Sequence, residues 1–483
     1  MDPIAFRPAT ELARMIRSRR ISSRELLEIY LTRIETFDKQ INAVVTLDPE
    51  AARRQALLAD EKQARGESLG PLHGVPMTIK DGFETAGLRT TSGAPMYKDH
   101  VPRENAVAVQ RLADAGAVIM GKTNVPLFCA DSQSYNAIFG TTNNPWDLSR
   151  TPGGSSGGAV AALAGGLTGL ELGSDIAGSI RLPAAWAGVY GHKPSYGIVP
   201  FRGHIPPPPG ILSEADLSVA GPLGRSAGDL KLALKILAGP DAAQSAAWKL
   251  VLPPPRAKRL KDYRVAAWLE DAAMPVDRDV ADCLAKAVDA LRQAGVRVDE
   301  HARPAIAAPD ALRTFHQLLT PVIATGFPKE VMEALRQMAQ NQDDQSDLGR
   351  FARDALLTHR EWLSANARRH AHRRLWAEFF RDYDILLCPA GSVAAIAHDQ
   401  SGTQIDRRIT VNGQQQPYGL LIAWAGIFTY VYLPATCAPV GRTPGNLPVG
   451  IQIVGPHLED RTTIDFAERL SRVTGGFTPP PGY

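Results

Sequence analysis

The stretch from Gly153 to Pro183, GGSSGGAVAALAGGLTGLELGSDIAGSIRLP, constrains this chain more than any other. Glycine and alanine dominate it, so its backbone is built to approach other backbone with little side chain between. Set into that frame are two serine clusters, Ser155/Ser156 and Ser179. Upstream, the apolar run Val75-Pro76-Met77-Thr78-Ile79 ends in Lys80. A serine hydroxyl is a weak nucleophile until a neighbour takes its proton, and the segment contains no histidine. A lysine can do that work only where burial pulls its pKa down from about 10.4, and the apolar run before Lys80 provides such burial. Ser179, in a glycine-containing turn after a buried strand, can attack a carbonyl while successive backbone N–H groups hold the oxyanion. Ser155 can relay the proton to Lys80.

The same segment admits other readings. Glycine- and serine-rich loops are often plain flexible turns. A phosphate-cradling loop would need the lysine of GxxxxGK[ST], which is missing. Gly154-Ser155-Ser156-Gly157-Gly158 satisfies GxSxG and would nominate Ser156 as a nucleophile, with His457 placed late enough to partner it. That elbow requires a strand immediately before it, whereas 143–152, rich in asparagine and proline, reads as a loop.

Around the segment, residues 9–65 read as helices. Thr10 is a candidate cap for the first, and Ile21-Ser22-Ser23-Arg24-Glu25 offers a second start, with a serine ahead of an apolar periodic run. Beyond, strands are expected at Val75–Ile79, Ala117–Gly121, Leu167–Leu172, Arg264–Leu269, Val296–Val298, Asp384–Cys388, Tyr430–Ala435 and Val449–Val454, with helices at Asn105–Ala115 and Gly158–Ala164. This alternation predicts an α/β fold with a large mixed, mostly buried central sheet and helices on both faces. Strand signals vanish between about 308 and 382, which reads as a helical insertion or cap. The expectation is a single domain over 1–483: N-terminal helices to residue 65, then a catalytic α/β core from 66–260 and 383–483.

Lys+Arg 53 against Asp+Glu 50 leaves a net charge of +3, too balanced for a nucleic-acid footprint. The basic clusters Arg17–Arg20 and Arg368–Arg374 fall in helix-like sequence and read as solvated faces. The four cysteines are far apart and form neither a metal pattern nor a disulfide framework, so reduced thiols and a cytoplasmic location are expected. The N-terminus lacks a signal-peptide pattern, and no run of about 18 apolar residues exists, so no membrane contact is expected. No motif calls for a cofactor or a metal, and none is expected.

GGSSGG followed by GSDIAGSIRLP resembles the signature of the amidase signature family, and the interval between Ser155 and Ser179 is similar to that family's. The likeness extends to Gly74-Val75-Pro76, Lys80-Asp81, Gly121-Lys122-Thr123-Asn124, Asn144-Pro145-Trp146, Gly191-His192-Lys193-Pro194 and Leu447–Gln452. The resemblance implies the amidase signature fold and an acyl-enzyme mechanism. Ser179 would be the nucleophile, Ser155 the bridging serine after a non-proline cis peptide bond, and Lys80 the neutral lysine base. The N–H groups of Ile176, Ala177, Gly178 and Ser179 would form the oxyanion hole, although many members carry Gly-Gly where this chain has Ala177-Gly178. Asp175 and Arg181 would hold the loop, and His192 would be structural. Cys129 lies in a segment that approaches the site in the family, and reads as a packing residue.

The expected reaction is hydrolysis of a small-molecule carboxamide, an aryl amide or a carbamate (urethane), by a monomer or homodimer with no nucleic-acid partner. Phe128, Cys129, Phe201 and Ile205, with Trp186, Phe315 and Leu319, are nominated for the substrate pocket. One alternative is the glutaminase subunit of a tRNA-dependent amidotransferase, with which the chain shares GKTN and NPWDLSR. The loop from Ile198 through four prolines departs from that pattern. A non-catalytic binding relative is the remaining alternative, and it would have lost Lys80 or Ser179.

Overall fold

Short apolar strands, most of them buried along their whole length, join into one mixed sheet of 11 strands in the computed structural model, which describes residues 3–341 and 343–483. In chain order they are β1 (Val44–Leu47), β2 (Pro76–Lys80), β3 (Val118–Thr123), β4 (Glu171–Asp175), β5 (Tyr190–Lys193), β6 (Val219–Gly224), β7 (Arg264–Ala267), β8 (Arg297–Asp299), β9 (Ile385–Pro389), β10 (Ala435–Arg442) and β11 (Pro448–Val454). Across the sheet the order is β1-β3-β2-β4-β6-β5-β10-β11-β9-β7-β8. β2 runs parallel to both β3 and β4, with Thr78 opposite Glu171 and Ile79 opposite Leu172. β4 then meets β6 antiparallel. Lys80 and Asp175 therefore end two adjacent parallel strands on the same edge, where α/β sheets commonly place their ligand sites.

The helices start where local chemistry starts them. Ser22 and Glu25 form a reciprocal capping box that opens the helix Ser23–Ile41. The first helix, Ala9–Arg17, instead begins after Pro8. Thr10, expected as its cap, sits inside it and donates through both N–H and Oγ1 to Asp229 (2.9 and 3.0 Å). The region 308–382 is helical as expected, in four pieces: Ala308–Ala324, Lys329–Ala339, Asp347–Ala355 and His359–Asp382. It packs on the main core through Phe315, Leu318, Trp376, Phe379 and Phe380. The basic run on its last helix is only partly a solvated face. Arg369 is buried, pairs with Asp216 at 2.6 Å, and lies 4.5 Å from the centroid of the Tyr432 ring.

Three strand expectations need correction. The strand placed at Leu167–Leu172 begins only at Glu171, because Thr168 and Gly169 are drawn aside to bond the backbone of Thr78 and Pro76. Tyr430–Ala435 looks strand-like by its aromatic and β-branched content. It is instead the exit of a helix, Ala423–Thr429, and the reversal passes through Tyr432 at φ +68° before β10 starts at Ala435. Within 9–65, read as wholly helical, Val44–Leu47 forms β1 at the sheet edge. No helix among the described residues is long and apolar enough to cross a membrane.

Candidate active site

Lys80 closes β2 fully buried, and its ammonium nitrogen meets three oxygens: Ser155 Oγ at 2.7 Å, Ser156 Oγ at 3.0 Å and the Ser174 carbonyl at 3.3 Å. No carboxylate pairs with it among the described residues. Burial therefore pulls its pKa below the ordinary lysine value, opposed only at a distance by Cys129, Asp175 and Glu171. A lysine held this way loses its proton more readily than a free one and, once neutral, can accept one from a serine hydroxyl.

The two serines come from the loop before the helix Gly157–Ala164. Ser134 Oγ ties this loop down, accepting from Gly157 N–H (3.0 Å) and donating to Gly153 C=O (3.1 Å). The Gly154–Ser155 peptide bond is cis, as the resemblance implied. Ser155 and Ser156 are buried, and Ser156 N–H donates to the Ser179 carbonyl at 3.2 Å. That bond ties the loop carrying Ser155 to the backbone of Ser179. Ser179 is half-buried, and its hydroxyl has no hydrogen-bond partner among the described residues. Ser156, by contrast, is sealed against Lys80 and the Ser174 carbonyl. His457, its notional partner in the elbow reading, instead bonds the Tyr432 carbonyl.

The turn after β4 is organised by Asp175. Its carboxylate accepts from Gly178 N–H (2.8 Å) and Ile180 N–H (3.0 Å), and from both sides of the Arg181 guanidinium (2.8 and 3.0 Å). Burial works to raise the Asp175 pKa, but Arg181, with Lys193 and the backbone donors, draws it down to about 2. Arg181 is anchored in turn to Ala425 C=O, Gln452 and Thr429. One expectation is corrected here: the Gly178 N–H is spent on Asp175, so of the four N–H groups nominated for an oxyanion, those of Ile176, Ala177 and Ser179 remain without an acceptor among the described residues. Gly178 itself has φ +112°, and a Cβ there would lie 2.9 Å from that of Ala425.

Of the nominated pocket residues, Phe128 and Cys129 are half-buried, on a segment whose φ angles are +51° and +58°. The Cys129 sulfur is 3.6 Å from Ser92 Oγ, and burial pushes its thiol pKa up, which suits packing better than nucleophilic chemistry. Phe201 and Ile205 are 4% and 1% exposed and offer no surface to a substrate. Phe201 stacks on His204 at 4.4 Å and meets Phe83 edge-on. Trp186, Phe315 and Leu319 are equally closed into the core. His192 is structural, bonded to Thr436 (2.9 Å) and Asp460 (3.1 Å).

Sequence reasoning passed over His204, which reaches the floor of the site at Ser174. It also missed a brace on the Phe128–Cys129 segment, where Asp131 accepts from Arg407 (2.7 Å) and Tyr418 (2.6 Å). Asp131 and Arg407 lie far apart in the chain, and no local pattern links them. His204 stood inside the proline-rich loop, where a lone histidine carries no signal.

The chain matches the family model described as Amidase over residues 25–464. It is 30% identical to a glutamyl-tRNA(Gln) amidotransferase subunit of Alkaliphilus metalliredigens over 483 aligned residues, covering 95% of this chain and 94% of that protein. It is 32% identical to the indoleacetamide hydrolase of Bradyrhizobium diazoefficiens over 474 residues, covering 97% and 86%. Among solved structures, a bacterial aryl acylamidase of the amidase signature enzymes superposes with a TM-score of 0.80 at 25% identity, covering 98% of this chain and 97% of that one.

Proposed function

The chain belongs to the Amidase family, the amidase signature enzymes, which hydrolyse amide carbon–nitrogen bonds, and from that premise we propose that it cleaves small carboxamides through an ester on Ser179. The observation that carries this reading is the buried Lys80–Ser155 contact of 2.7 Å with no carboxylate on the lysine. Ser179 Oγ attacks the carbonyl carbon, its proton passes to Ser155 Oγ, and the Ser155 proton passes to neutral Lys80. The negative charge on the former carbonyl oxygen is met by the N–H groups of Ile176, Ala177 and Ser179. The Lys80 ammonium then returns a proton through Ser155 to the leaving nitrogen as the C–N bond breaks. Water repeats the sequence on the acyl-enzyme and releases the acid.

The substrate class in this reading is an amide with an aryl or other apolar group, with carbamates cleaved by the same chemistry. Two things support it: the relatives named for indoleacetamide and aryl acylamide hydrolysis, and the half-buried apolar Ile176 and Ala177 just before Ser179 in the chain. A second reading, an amidotransferase component working with a protein partner, is favoured by the relative from Alkaliphilus. It predicts glutaminase activity and a partner that copurifies. The test is Ser179→Ala, assayed on aryl amides, primary amides, urethanes and glutamine together with fluorophosphonate labelling. Loss of both hydrolysis and labelling is expected, whereas labelling that persists on Ser156 would overturn the assignment.

A further inference from the structure

His204 reaches two neighbours of Lys80, Ser174 and Gly82. Its Nε2 lies 2.9 Å from Ser174 Oγ, on the residue whose carbonyl accepts from Lys80. It also presses on Gly82, two residues beyond Lys80: a Cβ on that glycine would fall 2.8 Å from Nε2, and Ile205 N–H donates to the Gly82 carbonyl at 2.7 Å. The ring is wedged between Phe201 and Phe83, at centroid distances of 4.4 and 4.8 Å. Its other nitrogen, Nδ1, sits 3.1 Å from the Pro206 carbonyl. A carbonyl only accepts, so Nδ1 carries the hydrogen and Nε2 is left to accept the Ser174 hydroxyl proton.

We propose that His204 is a positioning residue for the reaction: as an Nδ1–H imidazole it fixes the Ser174 side chain and the Gly82 backbone, and through them the place of Lys80. The proposal rests on Lys80 acting as the base. The groups facing the ring fit a neutral spacer. They are Lys80 on β2, Lys122 on β3 and Cys129 on the neighbouring loop, with Asp81 and Glu171 turned to Lys122 and the threonines. Burial first, and then the two lysines, hold the His204 pKa down to about 3. The ring therefore stays uncharged where the lysine must deprotonate, and it takes no proton from the relay.

Two substitutions that each keep one of the ring's two hydrogen bonds, read beside Ser174→Ala, separate positioning from mere filling. His204→Gln puts an acceptor where Nε2 stands, whereas His204→Asn keeps a donor toward Pro206 and loses the acceptor. His204→Asn is expected to lower kcat about tenfold, equivalent to about 1.36 kcal/mol of barrier, with KM little changed, and Ser174→Ala to do the same. His204→Gln should restore most of the rate. Selective 15N labelling of histidine in the wild-type protein reads the tautomer without reference to activity: an unprotonated Nε2 that does not titrate between pH 5 and 9 is expected. Equal losses in the Asn and Gln variants, or an Nε2–H tautomer, would overturn the proposal. Activity surviving in Lys80→Ala would instead remove the base assignment, with the tautomer result left standing.

Discussion

Arg181→Met takes a charge out of the floor of the site while keeping much of the side-chain volume. The guanidinium is fully buried and makes five hydrogen bonds: two to Asp175, and one each to Ala425 C=O (2.9 Å), Gln452 Oε1 (2.6 Å) and Thr429 Oγ1 (2.7 Å). Methionine leaves the Asp175 carboxylate inside the protein with only two backbone N–H donors. Removing one partner of a buried pair costs about 3–5 kcal/mol. At roughly 2.1 cal/mol/K per residue, a chain of 483 residues unfolds with an entropy of about 1 kcal/mol/K, so Tm should fall by about 3–5 °C. The pH dependence gives a sharper check. In the wild type the Asp175 pKa is lowered from 3.8 to about 2, so its contribution is fully present above about pH 3.8 and is lost as pH falls through about 2. Without Arg181, burial dominates and raises the group, so ionising it costs stability as pH climbs from 4 toward 7. Calorimetry at pH 4 and pH 7 should find the larger deficit at pH 7. The double variant Asp175→Asn/Arg181→Met should be less damaged than the sum of the single changes. A deficit below about 1 kcal/mol at pH 7, or one equal at both pH values, would refute the account.

Gly178→Ala forces a side chain into φ +112° and against Ala425. It should cost roughly 1–3 kcal/mol of stability and, by moving the neighbouring N–H groups, lower kcat about a hundredfold; unchanged turnover would remove those groups from the mechanism. Because burial lowers the Lys80 pKa, kcat/KM should rise with pH along an acid limb that levels off well below pH 10.5. Lys80→Arg should abolish turnover, since arginine cannot deprotonate, and a profile flat in pH would sink the lysine's role.

The residues now grouped around Lys80 were legible because each belongs to a local pattern. A glycine-rich run announces close backbone approach, and a lysine ending an apolar strand announces burial. The mixed sheet was legible from alternating periodicity for the same reason. What failed were segments whose conformation is set from far away. Val44–Leu47 carries the β-branched residues Val44, Val45 and Thr46, but a run of four between two helices becomes a strand only by pairing with β3, about 75 residues on. Phe201 and Ile205 looked like a pocket because they are apolar and near the motif, yet stacking on His204 and Phe83 turns them inward. The Gly178 N–H was counted for an oxyanion because backbone amides look interchangeable in sequence. Only the folded chain reveals that Asp175 already holds it.

That bond to Asp175 explains a feature of the site that no single residue does. Asp175 and Lys80 end adjacent parallel strands, and a carboxylate so near a buried lysine would ordinarily keep the lysine charged. Here the carboxylate is committed elsewhere. Arg181 takes both of its oxygens, and the N–H groups of Gly178 and Ile180 take what remains. Lys80 is left with two hydroxyls and one carbonyl, none of which carries charge. The same burial therefore acts in opposite directions on two neighbours. It is overcome at Asp175, where a cation is in contact, and it prevails at Lys80, where no anion is. The consequence reaches back to Arg181→Met. With its cation gone, a still-ionised Asp175 would be the nearest uncompensated charge to the lysine. The acid limb of kcat/KM in that variant should then move to higher pH than in the wild type, and an unmoved limb would mean that Asp175 does not sense Lys80.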